Sequence, residues 1–158
     1  MAYAIRPFRD EDAKALAALT LASIKAVGAK SYSPEQVDVW AACHPGPDRF
    51  LERAEGGAMM FVAVTGDNAP VAYSLLEPDG HLDMLYCHPD HTRRGLADEL
   101  LAAAEQHARS LGIERLYTEA SDLARPAFER AGYAVDHRRD FELDGVPIHN
   151  FAMDKRLS

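Results

Sequence analysis

A chain of 158 residues with 47% hydrophobic content buries one core without staples and is too apolar for global disorder. Its formal net charge of -8 excludes a general nucleic-acid binder, which needs a basic face, and no apolar stretch reaches membrane-span length. Its two cysteines, Cys43 and Cys87, form neither a disulfide framework nor a CxxC pair, and the start "MAYAIRPFRDED" has no apolar signal core, so reduced thiols in a cytoplasmic protein are expected.

No repeat, low-complexity tract or linker divides the sequence, so one domain over 1–158 is expected. Residues 2–8 alternate as a strand ending at Pro7. A helix follows, capped by Asp10, with Ala13, Leu16, Ala17, Thr20, Ile24 and Val27 at helical spacing and Gly28 closing it. "SPEQ" at 33–36 is a capping box that starts a short helix through Trp40. "HPGP" at 44–47 breaks it, and "DRFLERA" adds one or two helical turns. "AMMFVAVT", "VAYSLLE" and "HLDMLYC" are three hairpin-linked strands. Alternation in the third sets His81, Asp83, Leu85 and Cys87 on one face and Leu82, Met84 and Tyr86 on the other. A long helix presents Leu96, Leu100, Leu101, Ala104, Ala108 and Leu111 on one side and ends at Gly112. The strand "ERLYTEAS", the short helix "LARPAFERA" and a terminal hairpin turning at Asp144-Gly145 complete the chain. The crossover from residue 81 to 120 joins two parallel strands, and such a crossover leaves a gap at its strand ends where ligands sit.

The turn "YCHPDHTRRG" stands at that gap. The first-turn N–H groups of a helix lack partners inside it, and the helix dipole adds positive charge there. Gly95 lets a ligand approach the backbone, Ala97 keeps the next side chain small, and Arg93 and Arg94 add charge. These features describe a diphosphate site; the same residues also suit a plain loop with solvent-facing arginines. Neither GxxxxGK[ST] nor GxGxxG is present.

"CHPDHTRRGLADELL" resembles the acyl-CoA pyrophosphate motif of the GNAT acetyltransferases, [QR]-x-x-G-x-[GA], with Gly95 and Ala97 matching and Thr92 at the leading position. "SDLARPAFERAGY" is similar to the family's second segment, N-x-x-A-x-x-x-Y-x-x-x-G-[FY], with Ser121 for Asn and Phe128 for Tyr. The element order also agrees, and "YSPEQVDVWA" and "NFAMDKRL" look most like bacterial YafP-like members. The resemblance implies an α/β (α+β) GNAT fold: a mixed, mostly antiparallel sheet of six to seven strands, about four helices, and a splay between the fourth and fifth strands. It implies acetyl-CoA as cosubstrate, no metal, and acetyl transfer to an amine of a small molecule or peptide. Leu85, Tyr86 and Cys87 would pair with the pantetheine arm, and Arg93, Arg94, Gly95, Leu96, Ala97 and Asp98 would hold the diphosphate. Ser121 and Arg125 would contact the arm or phosphates, and Phe128 would lie beside the thioester.

Direct attack by an amine needs a base, an oxyanion donor and a leaving thiolate. His81, whose imidazole near pKa 6.5 suits a base, and Asp83 are the expected catalytic groups, with Glu119 as a further base candidate or acceptor contact; the same pattern also suits a His81 that is solvated after its turn and an Asp83 that anchors a neighbouring loop. Tyr32, Trp40 and His44 fall in the segment that roofs the acceptor site in this family, where they would line that site or pack as core. The main-chain N–H of Tyr86 or Cys87 is the expected oxyanion donor. Phe128 carries no proton for the leaving thiolate, whose own pKa of roughly 8.5 makes its departure feasible. Cys87 reads as an inert thiol, and His81, His88 and His91 have poor spacing for a metal. No membrane or nucleic-acid partner is expected, and the terminal hairpin is suited to pairing two copies. A second reading is a non-catalytic acyl-CoA-binding or partner-binding module of the same fold, suggested by the missing Tyr and Asn.

Overall fold

The computed structural model describes residues 2–44 and 46–158; the breaker Pro45 lies outside them. Seven strands and five α-helices follow the expected order: β1 (Ala4–Pro7), α1 (Ala13–Val27), α2 (Pro34–Ala42), α3 (Asp48–Glu55), β2 (Met59–Val64), β3 (Pro70–Leu76), β4 (Leu82–Cys87), α4 (Leu96–Ser110), β5 (Arg115–Ala120), α5 (Arg125–Arg130), β6 (Ala134–Leu143) and β7 (Val146–Arg156). The "DRFLERA" turns are a full helix, so the described residues form five α-helices where about four are expected. None of the described helices is long and apolar enough to cross a membrane.

The strands form two antiparallel sheets, β1-β2-β3-β4 and β5-β7-β6. Among the described residues the backbones of β4 and β5 pair at one isolated parallel bridge, His81 to Tyr117, and the two strands belong to separate sheets beyond it. Three contacts hold that junction: the Tyr117 N–H donates to the Gly80 carbonyl at 3.1 Å, and the Thr118 hydroxyl donates to the Leu82 carbonyl at 2.7 Å. Gly80, at φ 101°, is the third; a Cβ on it would overlap the Arg115 carbonyl oxygen, so the β3–β4 turn reaches β5 only as glycine.

Helices cover both faces of the first sheet. α1 and α3 seal Met60, Val62, Tyr73, Leu75 and Met84 with Leu16, Leu19 and Phe50. α4 covers Leu76, Leu82 and Leu116 with Leu101, Ala104 and Ala108. Strict alternation fails in β4. Leu75 pairs with Met84 but Leu76 pairs with Leu82, so a bulge at Asp83 turns Leu82 to the α4 side with Leu85. Leu111 is 58% exposed because it lies past the end of α4, where the helical spacing no longer governs its direction.

The capping box of α2 forms as read: the Gln36 N–H donates to Ser33 Oγ at 3.1 Å, and the Ser33 N–H to Gln36 Oε1 at 2.9 Å. Asp10 does not cap α1. A 3-10 turn over Asp10–Asp12 precedes that helix, and Asp12 receives the Arg9 N–H at 2.8 Å and the Arg6 guanidinium at 2.8 and 2.9 Å. Burial pushes the Asp12 carboxyl up, yet the Arg6 and Arg9 hydrogen bonds outweigh it and hold it below the usual carboxylate range.

Asp12 is 3% exposed and ties β1 to α1, so removing it leaves the Arg6 cation half-desolvated. Asp12→Ala should cost about 3 kcal/mol, the low end for a broken buried pair, read as a lower urea midpoint at unchanged slope. A midpoint unchanged at pH 7 would refute the role. Because the folded carboxyl is depressed, the stability that Asp12 contributes is present above pH 3.8 and lost as pH falls through its lower folded value.

Candidate active site

Where β4 and β5 part, the gap holds two adjoining cavities. One of about 180 Å³ is lined by Tyr32, Trp40, Asp83, Glu119, Phe141 and His149 among others. The second, about 150 Å³, runs along Cys87, Thr92, Ala97 and Leu100 toward the start of α4. Trp40, Leu85, Tyr86, Ser121 and Ala124 border both, so the two form one channel from the α4 N-terminus to the β4–β5 floor.

At the α4 end, Gly95 is the N-cap in a left-handed conformation, φ 76°, and no side chain caps the helix. The intrahelical ladder begins with Glu99 N–H to Gly95 carbonyl at 3.1 Å, so the amides of Leu96, Ala97 and Asp98 precede it. A Cβ at Gly95 would meet nothing within 4 Å, so the space before these amides is open. Arg93 also takes positive φ, 61°, and Arg93 and Arg94 are exposed. Asp98 turns its carboxylate to Arg130 of α5 at 3.1 Å. This corner fits an anion with several oxygens: open backbone donors, a positive dipole end and two exposed guanidiniums. The preceding turn is anchored by the Tyr3 hydroxyl and His91 Nδ1, 2.9 Å apart, and by the Thr92 hydroxyl donating to the Pro89 carbonyl at 3.3 Å.

The β4 edge supplies the channel wall. The His88 N–H donates to the Val71 carbonyl at 2.8 Å, so alternation of the antiparallel ladder sends the Tyr86 and Met84 amides toward β3 as well. The N–H and C=O groups of Leu85 and Cys87 therefore face the open side. This differs from the expectation for Tyr86, whose amide is spent in the sheet. The Cys87 thiol donates toward the His88 and His91 carbonyls at 3.5 and 3.4 Å, and burial pushes its pKa up to about 11. It is protonated at neutral pH and not a nucleophile.

Across the channel, Ser121 turns its hydroxyl to the Ala124 N–H at 3.2 Å, capping the turn into α5. Arg125 lies over the Phe151 ring at 4.5 Å. Phe128 is 2% exposed, packs edge-on against Tyr133 with centroids 5.0 Å apart, and forms the channel's back wall.

The floor carries a network of charge. His81 Nε2 meets Glu119 Oε1 at 2.8 Å and Nδ1 meets Glu77 Oε1 at 2.7 Å, while the ring stacks on Tyr117 at 4.7 Å. Arg53 of α3 donates to Asp83 at 2.7 Å and stands 3.3 Å from Glu77. The Glu119 hydrogen bond, followed by that of Glu77, raises the His81 pKa to about 9 against the opposing effect of burial. His81 is thus an imidazolium at neutral pH with both nitrogens engaged, not the free imidazole near 6.5 that the sequence suggests. Of this network, Asp83 and Glu119 line the cavity and His81 stands behind them. Glu77, His81 and Asp83 each offer a ligand atom within 4.8 Å of the others, but each is committed to a hydrogen bond or ion pair.

Tyr32 and Trp40 both reach the cavity, as does the loop's neighbour on β4, Tyr86. Tyr32 is 5% exposed: its hydroxyl donates to the His149 carbonyl and accepts the Asp122 N–H, each at 3.0 Å, so it is a strut as well as a wall. His44 Nε2 lies 3.2 Å from the Tyr86 hydroxyl, and burial lowers its pKa, leaving it neutral. Sequence reasoning did not find Glu77, Arg53, Phe141, Leu143, Ile148 or the His149–Asp122 pair at 2.8 Å. Alternation along β7 marks Ile148 as inward, but no local pattern joins residues 27 positions apart.

The family model described as "Acetyltransferase (GNAT) domain" matches residues 28–155. The chain is 28% identical over 149 residues to an uncharacterized N-acetyltransferase, YafP, of Escherichia coli, covering 94% of this chain and 93% of that protein. Its fold is similar to the crystal structure of a GCN5-related N-acetyltransferase from Rhodopseudomonas palustris, at TM-score 0.89 and 34% identity over 99% of this chain and 97% of the other. It is also similar to the PaiA N-acetyltransferase of Thermoplasma acidophilum, solved in complex with coenzyme A. There the TM-score is 0.79 and identity 21%, over 99% of each chain.

The His81 network makes stability depend on pH. A folded pKa of about 9 against 6.5 unfolded contributes stability fully present below pH 6.5 and lost as pH rises through about 9. The thermal midpoint should fall across that window, and His81→Gln should flatten the fall while lowering the midpoint at pH 6. An equally steep fall in the variant would show that His81 does not carry the charge.

Proposed function

The chain belongs to the GNAT acetyltransferase family, and on that premise we propose that it is an acetyl-CoA-dependent N-acetyltransferase that works in the channel between β4 and β5. The carrying observation is the uncapped α4 N-terminus at Gly95, opening onto a channel that leads to two carboxylates.

In this reading the amides from Arg93 to Asp98 hold the coenzyme's diphosphate, helped by the Arg93 and Arg94 side chains. The free edge of Leu85 and Cys87 pairs with the pantetheine arm, with Tyr86 as wall. Ser121 and Arg125 flank it, and Phe128 packs beside the acyl end. Bound acetyl-CoA supplies an electrophilic thioester carbonyl. The Cys87 or Leu85 N–H is the donor for its oxygen. Asp83 and Glu119 attract the ammonium form of the acceptor to the floor. The ammonium first gives one proton to solvent, which frees the lone pair that attacks the carbonyl; the nitrogen of the adduct is then acidic, and the Glu119 carboxylate takes that second proton as the thiolate leaves. His81 is a positioning residue: its two hydrogen bonds fix Glu119 of β5 against Glu77 beside β3. Phe128 donates no proton, and the thiolate leaves at its own pKa of roughly 8.5. The whole of 1–158 acts as one domain. A cytoplasmic location is supported by two free cysteines, one of them exposed.

The second reading, a module that binds acyl-CoA without turnover, is favoured by Phe128 standing where the family carries a phenol. The two readings separate in one assay. Thiol release from acetyl-CoA in the presence of amines supports the enzyme, and tight binding with no release on any amine supports the module.

Gly95→Asp places a carboxylate in the open cradle and should weaken acetyl-CoA binding at least about tenfold, or 1.4 kcal/mol. Titration calorimetry of a folded variant with unchanged affinity would overturn the diphosphate assignment. Glu119→Gln should lower kcat about a hundredfold and leave acetyl-CoA affinity as it was; loss of affinity instead would move Glu119 out of the acceptor site.

A further inference from the structure

Resting on the transferase reading, we propose that the acceptor is a small arylalkylamine: a primary amine on one apolar ring, with no carboxylate beside the nitrogen and no second ammonium. The chemistry of the larger cavity carries this. Its charged floor consists of Asp83 and Glu119, and among the described residues none of those lining it is lysine or arginine. Two cations beside the floor are held by its carboxylates: Arg53 is bound to Asp83 at 2.7 Å and His81 to Glu119 at 2.8 Å. Arg139 is not among the lining residues; half-buried on the β6 face that carries Phe141 and Leu143, it lies over the Phe141 ring at 5.0 Å and donates to Asn150 Oδ1 at 3.1 Å.

An α-amino acid that set its nitrogen on this floor would bring its carboxylate, two bonds away, against Asp83 and Glu119 with no lysine or arginine of the lining to meet it. A buried charge without a partner is strongly disfavoured, and like charge beside it adds to the cost. An amine without that carboxylate avoids this repulsion.

The remaining walls choose the body. Trp40, Tyr86, Phe141, Leu143 and Ile148 surround the space beyond the carboxylates. A polyamine would press its second ammonium against Phe141, Leu143 and Ile148, where no carboxylate waits. The volume accommodates one ring. An apolar cavity of about 150 Å³ holds one benzene ring, and this one is about 180 Å³, room for a ring and a short arm. Trp40 and Tyr86, with centroids 6.4 Å apart and tilted by 47°, offer ring faces to such a body.

The test pairs phenethylamine with phenylalanine, which differ by the carboxylate alone, and adds spermidine. With wild-type protein and acetyl-CoA, thiol release should give phenethylamine a kcat/KM at least about a hundredfold above either competitor. Trp40 is the only tryptophan of the chain, so its fluorescence reports binding without turnover. Phenethylamine should shift it saturably, and phenylalanine at the same concentration should not. Turnover that favours phenylalanine or spermidine, or equals phenethylamine, overturns the acceptor class and leaves the transferase reading standing. Selective binding of phenethylamine without release on any amine does the reverse. A fluorescence titration that responds to phenylalanine as well as to phenethylamine also overturns the class.

Discussion

The structure depends on a refusal of two neighbouring strands to pair. Among the described residues the backbones of β4 and β5 pair through one parallel bridge, His81 to Tyr117, and beyond it the two strands belong to separate sheets. A sheet that closed here would satisfy every main-chain group of β4 and leave nothing for a ligand. Instead the junction is pinned at one end only. Gly80 admits the Arg115 carbonyl, Thr118 takes the Leu82 carbonyl, and the His81 cation holds Glu77 and Glu119 together. Beyond that pin, the amides of Leu85 and Cys87 face a cavity, and the α4 N-terminus opens onto its far end.

The bulge at Asp83 follows from the same constraint. By adding a residue to β4, it sends Leu82 into the core under α4 and leaves Asp83 at the cleft, where Arg53 secures it. Core and site thus share one irregularity. The charge network beside it has a similar economy. His81 is raised to about 9 by the carboxylates it joins, and that fixed cation balances negative charge that would otherwise repel across the splay. Carboxylates left facing the cavity give the floor its sign.

The cavity roof comes from distant parts of the chain. Tyr32, just before α2, and Trp40, within it, meet Phe141, Ile148 and His149 of the terminal hairpin. Tyr32 ties these together through Asp122 and His149. The larger cavity is therefore built from β4, β5, β6, β7 and α2, and the second from α1, β4, α4 and α5.

Periodicity and capping chemistry by themselves determined the elements. The Ser33–Gln36 box, the Leu100–Ala104–Ala108 stripe, the Asp144-Gly145 turn and the strand runs are local signals, set by the sterics and hydrogen bonds of a few adjacent residues. The GNAT membership and the open glycine at the α4 N-terminus were legible for the same reason, as they lie in contiguous motifs. Local pattern misplaced Asp10 as a cap, Leu111 as core and Leu82 as facing with Met84. In each case a neighbour outside the pattern decided: Arg6 reaching Asp12, the end of α4, and the register of β3. Only the tertiary structure showed that His81 is a clamped cation and that Asp83 and Glu119 face the cavity. Protonation and exposure depend on charges brought together from β3, α3, β4 and β5, and no spacing along a chain encodes the distance between residues that meet only after it folds.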